Sequence, residues 1–374
     1  MKRPMRACVT GLSVLSFLVL MAGGCSSKAA KTVDTTSAID TTSAVDTTSA
    51  IDTTSAVDTT SAVGTTTAVA AGAVKVEAGA FQMGIEPWLG YGGWLVAERQ
   101  GFFKANGVDV KIASFTTDDE INAALVAGKL DGANIATHTA LRLKSEGTPI
   151  SIITVLDQSN EADAIIAKNG ITTIAQLKGK KVAFEKGTTS DLLLNAALAE
   201  AGMTIADITP VAIPAADVTT ALGAGQVDVG VTYEPYITPF LKSSKDFGFL
   251  YPASKIPGII SDVFVVRDEV LTSKPGQIAA LITSLGSATD YYGTNTKQAQ
   301  AVITEGVGSK AGDLDLAFNG VKFYTNPEAK ALLSGDFTAK TLGAVLKAAK
   351  DAGIITKDVD PASMINPSFI NATS

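Results

Sequence analysis

The sequence predicts an α/β fold in two lobes, each a mostly parallel sheet flanked by helices, over residues 74–374. Three observations carry this expectation. Apolar residues alternate between the two-residue period of strands and the spacing of helices along most of that stretch. The units recur as strand then helix, an order that builds parallel-type sheets with helices on both faces. And a stretch of about 300 residues is long for a single core, while the alternation restarts after residue 160, so two sheets with a cleft between them are expected.

The chain ahead of that stretch has its own logic. Lys2, Arg3 and Arg6 precede an apolar run from Leu12 to Met21, which leads into Ala22-Gly23-Gly24-Cys25. A basic start, an apolar middle and small residues form a secretory signal peptide, residues 1–24. A cysteine directly after such small residues resembles the lipidation site of bacterial lipoproteins, with Cys25 the acylated (palmitate-bearing) N-terminus. The run is shorter than the roughly 20 residues a membrane-spanning helix needs. The expected location is therefore the extracytoplasmic face of the cell membrane, in a periplasm or at the cell surface, with the lipid as the anchor.

Cys8 and Cys25 are the two cysteines of the chain. With Cys8 lost and Cys25 acylated, no thiol remains for a disulfide, a metal or nucleophilic catalysis. The net charge is −7, and loss of Lys2, Arg3 and Arg6 makes it more acidic still. A surface of that sign with no basic cluster argues against nucleic acid and against electrostatic attachment to anionic lipid.

From Val33 the hexad VDTTSA alternates with IDTTSA, then ends as VGTTTA at Ala68. One branched apolar residue per hexad is too little to bury a solenoid face. Residues 25–73 are expected to be a spacer rich in threonine and serine, whose composition does not build a core. As a flexible coil it spans on average roughly 35–40 Å.

The elements then follow in order. Residues 81–86 read as a strand and 93–106 as a helix ended by Asn106-Gly107. Val108, Val110 and Ile112 alternate with polar neighbours in a strand over 108–115. Thr117 with Glu120 forms a capping box, and Ile121, Ala124 and Leu125 supply the buried stripe of the helix behind it. Residues 131–136 are a strand, 140–145 a helix, and 150–156 a continuous apolar strand of the buried type. The second series places strands at 164–167, 181–184, 208–213 and 227–232, with helices at 190–201 and 217–224. A strand over 263–266 precedes mostly helix to Gly353, including 275–292 with Ile278, Leu281, Ile282 and Leu285 on one face.

In folds of this class ligands bind beyond the carboxyl ends of the strands, so the strand-to-helix junctions hold the candidate residues. Trp88 and Tyr91 lie in the glycine-rich loop after the first strand, where aromatics wall a ligand, cover a cation or seal an interface. Thr137 and His138, the single histidine of the chain, precede a helix. His138 has no Ser-Asp or Cys partner pattern and reads more readily as a structural hydrogen-bonding residue than as a catalyst. Asp157 and Gln158 follow the buried strand that ends at Leu156. Thr188, Thr189 and Ser190 open a helix whose free N–H groups offer an oxyanion site, or are satisfied by capping alone. Tyr233 and Glu234 follow the strand over 227–232, with Pro235 forcing Glu234 out of helical geometry. There is no histidine–cysteine cluster, HExxH, calcium loop, GxSxG, P-loop or GxGxxG before a helix. Neither catalysis nor a cofactor is expected.

Taken together, these segments resemble a known family. MGIEPWLGYGGWLVAERQGFFKANGVDVKI is similar to the opening of substrate-binding proteins of the nitrate/sulfonate/taurine class of ABC importers. ITTIAQLKGKKVAFEKGTTSDLLLNAALAEAG and GAGQVDVGVTYEPYIT resemble two further segments of those proteins. The resemblance implies a periplasmic-binding-protein fold of type II. One lobe would combine residues 74–160 with 261–374, and the other would be 161–260. It implies ligand positions at Trp88, Tyr91, Thr137, His138, Asp157, Gln158, Thr188, Thr189, Ser190, Tyr233, Glu234 and Asp262. It also implies a monomer serving a permease and its ATPase, with a small solute as ligand and no chemistry performed on it.

The charge of that solute stays open at this point. The Thr188–Ser190 helix start favours an oxyanion such as a sulfonate. Glu86, Asp157, Glu234 and Asp262 favour an amine or guanidinium, and a zwitterion such as taurine would use both. Two other roles are weighed: a ligand-sensing lipoprotein, and a thiamine-pyrimidine synthase, which export and the missing cysteines disfavour.

Overall fold

The computed structural model describes residues 75–373, so the expected signal peptide, Cys25 and the hexad repeat lie outside the described residues. Eleven strands form two sheets. The strands are β1 Ala80–Ile85, β2 Asp109–Ser114, β3 Gly132–Ala136, β4 Ile150–Ser159, β5 Asp163–Lys168, β6 Lys181–Phe184, β7 Thr209–Ala212, β8 Val229–Tyr233, β9 Phe247–Pro252, β10 Ser261–Arg267 and β11 Val321–Phe323. One sheet has the order β11-β4-β10-β3-β1-β2 and the other β7-β6-β8-β5-β9. The chain thus passes from the first sheet to the second after Ser159 and returns between Pro252 and Ser261.

Most strands of each sheet point the same way, but the pairing is mixed because oppositely directed strands are interleaved. β1 runs parallel to β2 and β3, and β6 to β7 and β8. β10 is antiparallel to both β3 and β4, β11 to β4, and β5 to both β8 and β9. For β5 and β10 the reason lies in the crossings: a strand that enters a sheet from the other sheet arrives at the end where the resident strands finish. β9 and β11 were not anticipated from sequence. β9 is a partly exposed edge strand without a clean alternation, and β11 has three residues among helices.

Three further differences have local causes. The helix expected over 93–106 is two, Gly92–Arg99 and Phe102–Ala105, broken where Gly101 adopts φ 76°. The helix after β3 begins at Thr137, ahead of the expected start, because Thr137 and Thr139 hydroxyls find tertiary partners instead of competing for local backbone. And β4 continues through Asp157 and Gln158 to Ser159, paired on both sides by β10 and β11.

The core follows the apolar periodicity. Phe81, Met83, Ile135, Ile152 and Phe264 are fully or almost fully buried in the first sheet, and Trp94 packs on Phe264 with ring centroids 5.2 Å apart. Burying an indole requires an acceptor, which Asn134 supplies: Trp94 Nε1 donates to its Oδ1 at 2.6 Å, while Asn134 Nδ2 donates to Gly84 O. The helix Pro275–Thr294 buries Ile278, Leu281, Ile282 and Leu285. In the second sheet β5 shows the alternation of a central strand. Ile165 faces the large core, while Ala164 and Ile166 belong to a smaller one with Val218 and Leu222.

Candidate functional site

A cavity lies where strand ends of the two sheets meet. Its walls are Glu86, Trp88, Tyr91, Asp118, Ala136, Ile260 and Asp262 from the first sheet's side, and Asp163, Thr189 and Tyr233 from the second. It comprises about 330 Å³ of space free of atoms, of which about 30 Å³ admits the centre of a water-sized sphere. At roughly 10–15 Å³ of such room per water, the space takes a few waters. A solute of more than a few heavy atoms requires the walls to part.

Strand direction explains why these residues converge. Glu86 and Ala136 stand at the carboxyl ends of β1 and β3, and Asp118 opens the helix Asp118–Val126 after β2. Asp262 is near the start of its strand, yet the antiparallel register sets it opposite Ala136 and Asp157. Asp163 likewise begins β5 and pairs with Tyr233 at the end of β8. Parallel strands offer their ends and antiparallel strands their beginnings to the same place.

The loop Leu89–Tyr91 is a single 3-10 turn that turns both aromatic side chains inward. Trp88 Nε1 donates to Asp157 Oδ1 at 3.1 Å, and Tyr91 Oη donates to Asp262 Oδ1 at 2.9 Å. Trp88 also meets Tyr233 edge to face, with centroids 5.9 Å apart and planes at 89°. Two of the cavity's N–H and O–H donors are therefore already committed to carboxylates of the protein itself.

The electrostatics are one-sided. Burial pushes the Glu86 carboxyl well above its ordinary range, and the charge of Asp118 adds to it. Burial, then the charge of Asp262, does the same to Asp157. Asp163 is pushed up to about 7, by burial against the opposing hydrogen bonds of Ser159 and Thr189. Asp262 is pushed up to about 6 by burial, with the Tyr91 hydrogen bond holding it down. His138 is lowered to about 4 by burial, so its ring is neutral near pH 7. No lysine, arginine or charged histidine lines the cavity.

The twelve residues singled out from sequence fall into two groups. Trp88, Tyr91, Thr189, Tyr233 and Asp262 line the cavity. Asp157 stands behind Trp88 and anchors it. Thr137 is buried with its hydroxyl on Ser261 O at 2.9 Å, and His138 Nε2 lies 3.3 Å from Gly187 O across the two sheets. Gln158 bonds Asn160 and Tyr324, on the strand face opposite Asp157. Thr188 caps its helix, accepting from Ser190 N and donating to Glu185 O. Ser190 is buried with an unpartnered hydroxyl. Asp191 accepts from Gly187 N at 2.9 Å and places a carboxylate beside the helix start where an oxyanion was weighed.

Glu234 does not line the cavity. Its carboxylate accepts from Thr238 N at 3.1 Å and from the Thr238 hydroxyl, at the first turn of the helix Ile237–Ser243. Glu234→Ala is therefore expected to cost about 1–2 kcal/mol of stability, as loss of a helix-end acceptor does, with solute affinity within about twofold of the parent. Denaturant unfolding and a binding titration on the same variant check both halves.

Asp118 and Asp163 were missed. Asp118 sits unremarked between the capping residues Thr117 and Glu120, and nothing local marks Asp163, which lies just ahead of the strand expected over 164–167. The signal that finds them is the unusual density of acids flanking the strand ends, of which Glu86 alone was noticed besides Asp157, Glu234 and Asp262.

Two mixed sheets joined by two crossings, with a cavity at their facing strand ends, define a periplasmic-binding-protein-like fold. The likeness to solved structures is of the same kind. The periplasmic aliphatic sulphonate binding protein of Escherichia coli superposes with a TM-score of 0.65 at 20% identity, over 78% of this chain and 93% of that one. The periplasmic nitrate-binding protein of Synechocystis PCC 6803 does so with 0.64 at 17%, over 79% and 89%. The sequence profile of NMT1/THI5 like proteins matches residues 89–299, and the chain belongs to that family. Among curated relatives, a putative binding protein of Brucella abortus is 26% identical over 242 residues, 62% of this chain and 73% of the relative. These three are named as binding proteins, whereas a 4-amino-5-hydroxymethyl-2-methylpyrimidine phosphate synthase of Saccharomyces cerevisiae is also 26% identical, over 212 residues, 52% of this chain and 61% of that one. Among the described residues no helix is long and apolar enough to cross a membrane.

Proposed function

We propose that this protein is the extracytoplasmic solute-binding lipoprotein of an ABC importer, capturing a small polar nitrogen- or sulfur-containing solute and handing it to a permease coupled to its ATPase. The single observation that carries the reading is a small polar cavity walled from both sheets at their facing strand ends. Trp88 and Asp262 stand on one side, Asp163 and Tyr233 on the other. The names of the binding-protein relatives and the likeness to solved sulphonate- and nitrate-binding proteins support the solute-capture part of it.

The working cycle follows from the architecture. Residues 75–160 with 261–373 act as one lobe and 161–260 as the other, joined by the two chain crossings. A solute enters while the lobes are apart, and closure brings Asp163 and Tyr233 onto it. Closure is favoured to the extent that the solute fits the shut form better than the open one. The side chains hydrogen-bond, stack and match charge; no nucleophile or general base is asked of them. Cys25 holds the molecule, as a monomer, at the membrane, and residues 25–73 give it reach.

Thermal-shift screening of the ligand-stripped protein is the direct test. A bound solute stabilises the fold by about 2.7 kcal/mol at a hundredfold excess over Kd, read as a saturable rise in Tm. A solute that is consumed by the protein, with product formed at each turnover, would refute capture without chemistry.

A further inference from the structure

We infer that the solute is a small organic cation bearing N–H donors, an ammonium or amidinium group, received by Glu86, Asp163 and Asp262 between the rings of Trp88, Tyr91 and Tyr233. This rests on the solute-capture reading and names the chemistry of the same site.

A census of donors and acceptors decides between cation and anion. Glu86, Asp118, Asp163 and Asp262 all line the cavity, and every one is largely withdrawn from water. An anion placed there would need donors, and the two strongest side-chain donors are spent. Trp88 Nε1 points to Asp157 and Tyr91 Oη to Asp262. The Thr189 hydroxyl holds the Asp163 carboxyl down, so it faces that acid. Among lining side chains that leaves the hydroxyls of Thr189 and Tyr233. A buried sulfonate or nitrate would find no cation beside it, only neutral hydroxyls and four acids whose ionisation it would oppose, which costs more than those hydrogen bonds return.

Acceptors, by contrast, are available. Glu86 is 7% exposed, lines the cavity, and its Oε1 has no hydrogen-bond partner. A buried acceptor of that kind is a standing cost that a ligand N–H removes. The aromatic walls agree in sign, because ring faces attract cations and Trp88, Tyr91 and Tyr233 all line the space.

The nearest basic groups do not line the cavity, although Arg142 acts on Asp118 from the far side of that carboxyl. Arg142 and Lys186 line a neighbouring surface hollow with Asp119 and Asp191, and Arg142 pairs with Glu146 at 3.3 Å. A zwitterion such as taurine would place its ammonium well and leave its sulfonate without a cation. Capture of the amine end alone is what this lining supports.

Isothermal titration of the ligand-stripped full-length protein tests the inference with two sets of probes of similar size. Ethanolamine, putrescine and methylguanidine form the cationic set; ethanesulfonate, nitrate and taurine form the comparison. The expected result is saturable binding of at least one cation and none of ethanesulfonate or nitrate. Glu86→Gln and Asp163→Asn each should weaken the cation tenfold or more, with Tm values of both unliganded variants at or above the parent's. Those Tm values guard against reading a folding failure as lost binding. Binding of ethanesulfonate or nitrate alone overturns the charge assignment and leaves solute capture standing. Failure of every cation, or cation binding unaffected in both variants, overturns it as well.

Discussion

Raising the pH from 5.5 to 7.5 is expected to destabilise the ligand-free protein, lowering its Tm by several degrees. The sign follows from the buried acids. Asp163 titrates near 7 when folded against an ordinary 3.8, and Asp262 near 6; Glu86 and Asp157 are raised as well. Over this window the folded state holds protons that the unfolded chain has released, so stability falls as pH rises. The contribution is complete below the unfolded values and lost as pH climbs through the folded ones.

Asp163 alone, at about 1.4 kcal/mol per pH unit, accounts for roughly 4 kcal/mol between its two values. His138 opposes it: neutral when folded down to about 4, it adds stability as pH rises towards 6.5. One histidine stands against at least four carboxyls, so the acids prevail. For a domain of this size about 1 kcal/mol corresponds to roughly 2–4 °C. Thermal melts at fixed ionic strength check the slope, and Asp163→Asn should flatten it. A Tm that rises or stays level across the range would show that these carboxylates are solvated in the ligand-free protein.

Gly90→Ala is expected to damage stability and binding together. A Cβ at this position would fall inside van der Waals contact with Asp157 Oδ2 and with Trp88 Nε1. The indole–carboxylate bond that sets Trp88 against the cavity passes directly over the glycine. Neither partner has room to retreat, since Trp88 is 5% exposed and Asp157 fully buried. Overpacking costs about 1–3 kcal/mol where a core adjusts, and here the adjustment moves a cavity wall. The unfolding midpoint in urea should drop and solute affinity fall at least tenfold. An alanine variant that melts and binds like the parent would mean that the loop re-forms around the added methyl without moving Trp88.

Gly90 shows what kind of information sequence carries. Read along the chain it is one of several loop glycines, grouped with Gly92 and Gly93 as turn formers. Its φ is not left-handed; what demands glycine is the passage of two side chains that are 69 residues apart in sequence. The same division runs through the site. Trp88, Tyr91, Thr189 and Tyr233 were legible because they follow strands, at the ends where this fold class binds. Asp163 was not, because it begins a strand whose direction is set only by pairing with β8.

The sequence by itself determined the succession of strands and helices, the residues that pack the core, and the small number of loops where a ligand could bind. Local periodicity and turn chemistry suffice for these, since each depends on neighbours a few residues away. Tertiary structure alone decided which strands run antiparallel, and so brought Asp262 and Asp163 to the cavity. It also decided which polar groups spend their hydrogen bonds within the protein. Thr137, Gln158 and Glu234 are satisfied there, and Glu86 Oε1 is left open. The physical reason is that charge and hydrogen-bond balance at a buried site is a sum over groups from both sheets, and only folding sets the terms of that sum.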